Sequence, residues 1–141
     1  MQVREILGDK GHTVYCCGPN DSLADVVDLL VGYNCGSLVV CDKGEMVGII
    51  TERDILRACA LTRQSLEVLS VRDRMARCPV TATPDDEIAD TMGAMTEHRI
   101  RHLPVIDGST VVGMISIRDL LDDAIADHEL TIAQLQSYIY S

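Results

Sequence analysis

Aromatic side chains are almost missing from this chain: it has no Trp, no Phe and only four Tyr. Bases of single-stranded nucleic acid need such rings to stack on, so there is little here to build that platform from. Cations are scarce too, with 12 Lys and Arg against 22 Asp and Glu, and a net charge of −10 repels a polyphosphate backbone. Both features exclude nucleic acid as a main partner. No uncharged run reaches the roughly 18 residues that a membrane span requires, and the opening MQVREILGDKG has no continuous apolar stretch after its charges. The six Cys (Cys16, Cys17, Cys35, Cys41, Cys59, Cys78) contain no CxxC pair, and four of them lie inside apolar runs. They read as reduced core residues of a soluble, cytoplasmic protein, with the thiols acting as small hydrophobes. GxSxG, HExxH, P-loop and GxGxxG signatures are all absent, so the expected role is not enzymatic and no cofactor is required.

What is present is a duplication. Pro19 to Leu56 lies over Pro84 to Leu121 with a constant shift of 65 and no gap, and Asp21/Asp86, Ala24/Ala89, Leu38/Leu103, Val40/Val105, Gly48/Gly113, Ile50/Ile115, Arg53/Arg118 and Asp54/Asp119 are identical. Each copy, of about 55–60 residues, is too small to bury much surface alone. The expected product is one pseudo-twofold α+β domain in which two β-α-β-β-α halves share a core.

In each half a short β-prone run, Val14 to Cys17 or Val80 to Thr83, stops at a Pro-containing turn. A helix follows, announced in the first half by Ser22 three residues ahead of Asp25 and then by Leu23, Val26, Val27 and Leu30 on one face. Ile88, Met92 and Met95 hold the equivalent places, behind a less clean start at Asp86 and Glu87. Hairpins at 37–50 and 103–115 turn on Asp and Gly, and each runs into a second helix. Val71 to Met75 resembles Val3 to Leu7, which gives each half a short leader. The expected boundaries are 1–64 and 65–124 for the two repeats with their leaders, and 125–141 for a tail whose Ile125, His128, Ile132, Leu135 and Ile139 form a helical stripe. That stripe suits either the core or a second subunit.

Chemistry gathers where the second strand of each hairpin ends. Gly48-Ile49-Ile50-Thr51-Glu52-Arg53-Asp54 matches Gly113-Met114-Ile115-Ser116-Ile117-Arg118-Asp119. Thr-x-x-Asp and Ser-x-x-Asp are good helix caps, the hydroxyl accepting from an orphan N–H while the acid favours the positive end of the dipole. The same geometry suits a ligand, because an acid in the first helical turn can accept hydrogen bonds from both hydroxyls of a ribose while the nearby hydroxyl and amides meet phosphate. A second feature is His98-Arg99-Ile100-Arg101-His102, a basic cluster in an acidic chain. It can complement a helix C-terminus or, taken together, hold an anion. The first half has Tyr33-Asn34-Cys35-Gly36-Ser37 at this place, so the halves should differ in affinity or in ligand.

The doubled order of leader, strand, helix, hairpin and helix, with GIITERD and GMISIRD closing the halves and HRIRHLPVID entering the second hairpin, resembles a tandem CBS-domain pair, or Bateman module. The resemblance covers nearly the whole chain. It implies a regulatory module that binds an adenosine nucleotide (AMP, ADP, ATP or NAD type) in clefts between paired CBS domains, forms a homodimer and signals to an effector protein. It further implies that Asp54 and Asp119 hold ribose hydroxyls, with Thr51 and Ser116 close to ribose or phosphate. Backbone at Thr13, Val14 and Tyr15, and at Val80, Thr81 and Ala82, would border adenine. Arg99, Arg101 and His102, entering the strand at Pro104, would approach phosphates, with Arg118 beside them. Two other readings remain open: a metal or redox sensor built on Cys and His, and a small enzyme with an unrecognised site. His98 and His102 stand four apart but flank a helix-to-strand junction, and adjacent Cys16 and Cys17 should point to opposite faces of a strand, so no metal ligands are assigned.

Overall fold

The duplicated pattern becomes a duplicated set of elements in the computed structural model, which describes residues 1–10, 14–77 and 79–127. They are α1 (Val3–Lys10), β1 (Cys16–Cys17), α2 (Leu23–Tyr33), β2 (Ser37–Asp42), β3 (Glu45–Thr51), α3 (Glu52–Thr62), a 3₁₀ turn (Val71–Asp73), β4 (Ala76–Arg77), α4 (Ile88–His98), β5 (His102–Asp107), β6 (Thr110–Ser116) and α5 (Ile117–Asp127). The tail from residue 128 onward, and with it most of the stripe read from the sequence, lies outside the described residues.

Local chemistry explains most boundaries. Ser22 Oγ accepts from the Asp25 N–H at 3.1 Å and opens α2. Asn34, left-handed at φ 53°, closes it by donating its N–H to the carbonyls of Leu30 and Val31. Arg99 ends α4 in the same way at φ 55°. The less clean start foreseen for α4 is real, since Glu87 makes no side-chain cap bond. In the first hairpin Lys43 (φ 54°) and Gly44 (φ 83°) form a two-residue loop between Asp42 and Glu45, with the backbone hand that matches strand twist.

The first repeat's sheet has the order β1-β2-β3-β4, with β1 parallel to β2 and the other neighbours antiparallel. In the second repeat β5 and β6 pair antiparallel, and a single parallel bridge, Ala82 to Val105, takes the place held by Cys17 and Val40 in the first. Register agrees residue for residue: Ser37 faces Thr51, and His102 faces Ser116.

Buried apolar residues form two clusters. One holds Leu23, Val26, Leu30, Leu38, Val40, Ile50, Ile55, Leu69 and Val71, and the other Val3, Ile6, Leu7, Ile88, Met92, Met95, Leu103, Val105, Ile115 and Leu120. Val14–Pro79 forms one compact unit, while the leader within Met1–Thr13 joins the unit that begins at Val80. Each leader therefore packs on the repeat that it does not precede in sequence.

Docking of the two leaders repeats in detail. Val3 N donates to Asp86 O at 2.9 Å and Arg4 N to Pro84 O at 3.0 Å; Val71 N donates to Asp21 O and Arg72 N to Pro19 O, both at 2.9 Å. Arg4 also pairs with Asp85. Both strand glycines of the GII and GMI motifs lie under a leader: a Cβ on Gly113 would come within 2.5 Å of Leu7 Cδ2, and one on Gly48 within 2.6 Å of Ala76 O and 2.9 Å of Met75 Sδ. A side chain at either position would displace the leader segment.

The cysteines also correct an expectation. Among the described residues only Cys17 is buried; Cys16 and Cys59 are exposed and Cys35 and Cys41 half-buried. Cys16 and Cys17 do point to opposite sides of β1, because strand alternation sends one into the core and the other out.

Candidate functional site

Strand alternation sorts each hairpin into two faces. Leu38, Val40 and Ile50 in the first repeat, and Leu103, Val105 and Ile115 in the second, face the clusters just described. The other face pairs Ser37 with Thr51 and Val39 with Ile49 in one repeat, and His102 with Ser116 and Pro104 with Met114 in the other; Ser37, Val39, Ile49 and Pro104 are buried on it. Thr51, Ser116, Pro104 and His102 were expected near a ligand. Ser37, Val39, Ile49 and Met114 were not, although period-2 counting from Thr51 and Ser116 finds all four.

At the end of this face each second strand turns into a helix through reciprocal hydrogen bonds. Asp54 Oδ2 accepts from Thr51 N at 2.9 Å and from Thr51 Oγ1 at 3.1 Å, while Asp54 N donates to Thr51 Oγ1 at 3.3 Å. Asp119 Oδ2 accepts from Ser116 N at 2.8 Å, and Asp119 N donates to Ser116 Oγ at 3.2 Å. Capping is therefore real in both copies, and both acids are half-buried. It does not exhaust the carboxylate. An ionised acid offers about four lone-pair sites, and Oδ1 of Asp54 takes no hydrogen bond among the described residues. Two acceptor sites on one oxygen suffice for a vicinal diol.

The strand entering each hairpin completes the helix start. Gly36 O accepts the Glu52 N–H at 3.0 Å, and Arg101 O accepts the Ile117 N–H at 2.9 Å. The second repeat thus sets a basic pair, Arg101 and His102, at the position where the first has Gly36 and Ser37. Arg101 is exposed, His102 half-buried, and Arg99 and Arg118 are exposed on either side in sequence. The junction between α4 and β5 separates His98 from His102, so the two do not share a helical face.

The adenine-bordering segments are placed as follows. Thr13 lies outside the described residues. Val14 and Tyr15 are half-buried ahead of β1; Tyr15 O accepts from Val39 N at 3.0 Å, and its ring stacks on Tyr33 with centroids 3.9 Å apart. Val80 is half-buried, Thr81 exposed and Ala82 buried. Ala82 N donates to Pro104 O at 2.9 Å and Ala82 O accepts from Ile106 N at 2.8 Å, so this residue joins the ladder and has no main-chain edge left for a base. The counterparts of Val80 to Ala82 under the shift of 65 are Tyr15 to Cys17. Among the described residues no cluster of three or more His, Cys, Asp or Glu could hold a metal ion, and no helix is long and apolar enough to cross a membrane.

A family model for the CBS domain matches residues 3–61 and again residues 71–125. The chain belongs to the CBS-domain family. Among its relatives, the CBS domain-containing protein CBSX3, mitochondrial, of Arabidopsis thaliana is 36% identical over 146 residues, covering 97% of this chain and 71% of the relative. The solved CBS-domain containing protein ATU1752 of Agrobacterium tumefaciens is 31% identical with a TM-score of 0.84, over 87% of this chain and 98% of the other. The CBS domain pair of protein MJ0100, solved with 5′-methylthioadenosine and S-adenosyl-L-methionine, is 25% identical with a TM-score of 0.79, over 92% and 98%. Each CBS match begins at a leader and ends in a closing helix, so the family segments follow the chain whereas the packing exchanges the leaders.

Proposed function

We propose that this CBS-domain pair is a regulatory module that binds an adenosine nucleotide at the strand-to-helix corners of its repeats and reports the bound state to an effector protein. The observation that carries the reading is the twice-built strand-to-helix corner, in which a capping aspartate stands beside a hydroxyl and helix N-terminal amides, with Oδ1 of Asp54 taking no hydrogen bond among the described residues. Asp54 and Asp119 take the ribose hydroxyls, and Thr51 and Ser116 lie next to ribose or phosphate. Val80 and Thr81, and the segment around Tyr15, border the base. Arg99, Arg101 and His102 favour phosphates in the second repeat, with Arg118 a further cation. The adenosine-type ligands of the similar CBS pair support this class of ligand.

Within this reading the protein is not an enzyme, needs no cofactor, and works as a cytoplasmic homodimer whose two packings differ in affinity for the nucleotide. The deciding experiment is mass spectrometry of small molecules released from purified protein, followed by calorimetry with AMP, ATP and NADH. Saturable binding of at least one of these is expected. Silence toward all of them at millimolar concentration overturns the proposal, and turnover of ATP or NAD at a rate set by Asp119 would make the protein an enzyme instead.

A further inference from the structure

Cys16 follows Tyr15 on the hairpin side that carries Val39, and Cys41 stands beside it. Cys16 pairs with Val39 across the parallel β1–β2 ladder, and Cys41 follows Val39 by two residues, which puts both thiols on the same side of the sheet. The register slips between Val40 and Cys41, a local irregularity of the kind that re-aims a side chain. The two Sγ atoms are 3.7 Å apart, with the Cys41 thiol donating to the Cys16 sulfur. Cys16 is exposed on a two-residue edge strand, Cys41 is half-buried, and Cys17 is turned away into the core.

We propose that Cys16 and Cys41 form a reactive dithiol site whose co-reactant is a small-molecule disulfide such as glutathione disulfide, and that they close to an intramolecular disulfide. The Cys16 thiolate attacks one sulfur of the co-reactant; that S–S bond breaks, one thiolate leaves, and a mixed disulfide remains on Cys16. Cys41 then gives up its proton and attacks Cys16 Sγ, expelling the second thiolate. Two cysteine thiols are oxidised by two electrons, and the co-reactant is reduced to two thiols that carry away both protons.

The order of attack follows from the surroundings. Burial, together with its bond to Cys16, pushes the Cys41 thiol up to about 11, so Cys41 stays protonated at neutral pH and suits the second step. Cys16 is the sulfur that reaches solvent. A disulfide needs its sulfurs about 2 Å apart, and side-chain torsion on a short edge strand supplies that approach without changing strand order. The thiol exchange itself needs no bound nucleotide, although Cys16 adjoins the segment around Tyr15 that the proposed function uses.

The test uses the full chain, incubated with glutathione disulfide, quenched with a thiol-alkylating agent and cut by chymotrypsin. Cleavage after Tyr33 and Leu38 separates the peptide holding Cys16 and Cys17 from those holding Cys35 and Cys41. The expected product is a cross-link assigned by fragmentation to Cys16 and Cys41. Once Cys16 carries the adduct, closing by Cys41 should outrun a second exchange with external thiol or disulfide by at least about tenfold, since the second thiol is already in place. Cys41→Ser should stop at a glutathione adduct on Cys16, and the closing step in the unaltered chain should speed up about tenfold per pH unit on the approach to pH 11. Separate adducts on Cys16 and Cys41 without a cross-link, or a cross-link that joins Cys41 to Cys17 or Cys59, overturn the proposal. Mapping of the unaltered chain decides the matter even where the variant folds poorly.

Discussion

Asp119 and Asp54 each serve two tasks, and a substitution can separate them. Removing a cap interaction costs about 0.5–2 kcal/mol of stability, whereas losing charge-assisted bonds to a ribose diol costs about 10- to 100-fold in affinity. Asp119→Ala should therefore remain folded in urea titrations while binding AMP or ATP at least about tenfold more weakly by calorimetry, and 2′-deoxy nucleotides should bind the unaltered protein less well. Equal affinity of variant and parent would leave Asp119 a cap and nothing more. Cys17 supports a second prediction at this scale. Burial, reinforced by Asp21 and the neighbouring thiols, pushes its thiol up to about 12 from an ordinary 9.0. The unfolded chain loses this proton near pH 9 and the folded chain keeps it to about pH 12, so the stability it contributes is full below pH 9 and lost as pH rises through that window. Denaturant titrations from pH 9 to 12 should show a steeper fall for the parent than for Cys17→Ala; parallel curves would mean that the site does not hold the thiol neutral.

Among the elements, the two strand glycines carry the sharpest expectation. Gly48→Ala drives a methyl against the Ala76 carbonyl, a backbone atom that cannot yield without shifting β4, while Gly113→Ala meets the flexible end of Leu7. Overpacking of this kind costs about 1–3 kcal/mol, with Gly48→Ala at the upper end and Gly113→Ala at the lower in thermal melts. The reverse ranking would show that β4 moves more easily than Leu7. The legibility of the sequence divides along the same line. Ser22 with Asp25, Thr51 with Asp54, and the Asp-Gly hairpin turns were readable because each rests on residues within a few positions of one another. The pairing of His102 with Ser116, the ladder bonds that occupy Ala82, and the closeness of Cys16 to Cys41 depend on strand register, which apolar runs do not fix until partner strands are known. The repeat marks the two strand-to-helix corners; it could not tell which main-chain groups near them were already engaged.

For the molecule as a whole, the exchange of leaders decides how stability is shared. Val3, Ile6 and Leu7 are buried among residues of the second repeat, and Leu69 and Val71 among those of the first. Leu7→Ala should cost about 2–5 kcal/mol and should release amide hydrogens of β5, β6 and α4 to exchange while those of β2 and β3 keep their protection. Loss of protection at β2 and β3 instead would place the leader's contribution in the wrong unit. A duplicated sequence shows two similar leaders without showing which repeat each one packs on. Dividing the polypeptide near residue 65 would strip both products of the leader that covers their strand glycine, so neither copy would keep its packing by itself. Ancestrally, such an arrangement keeps a doubled gene doubled.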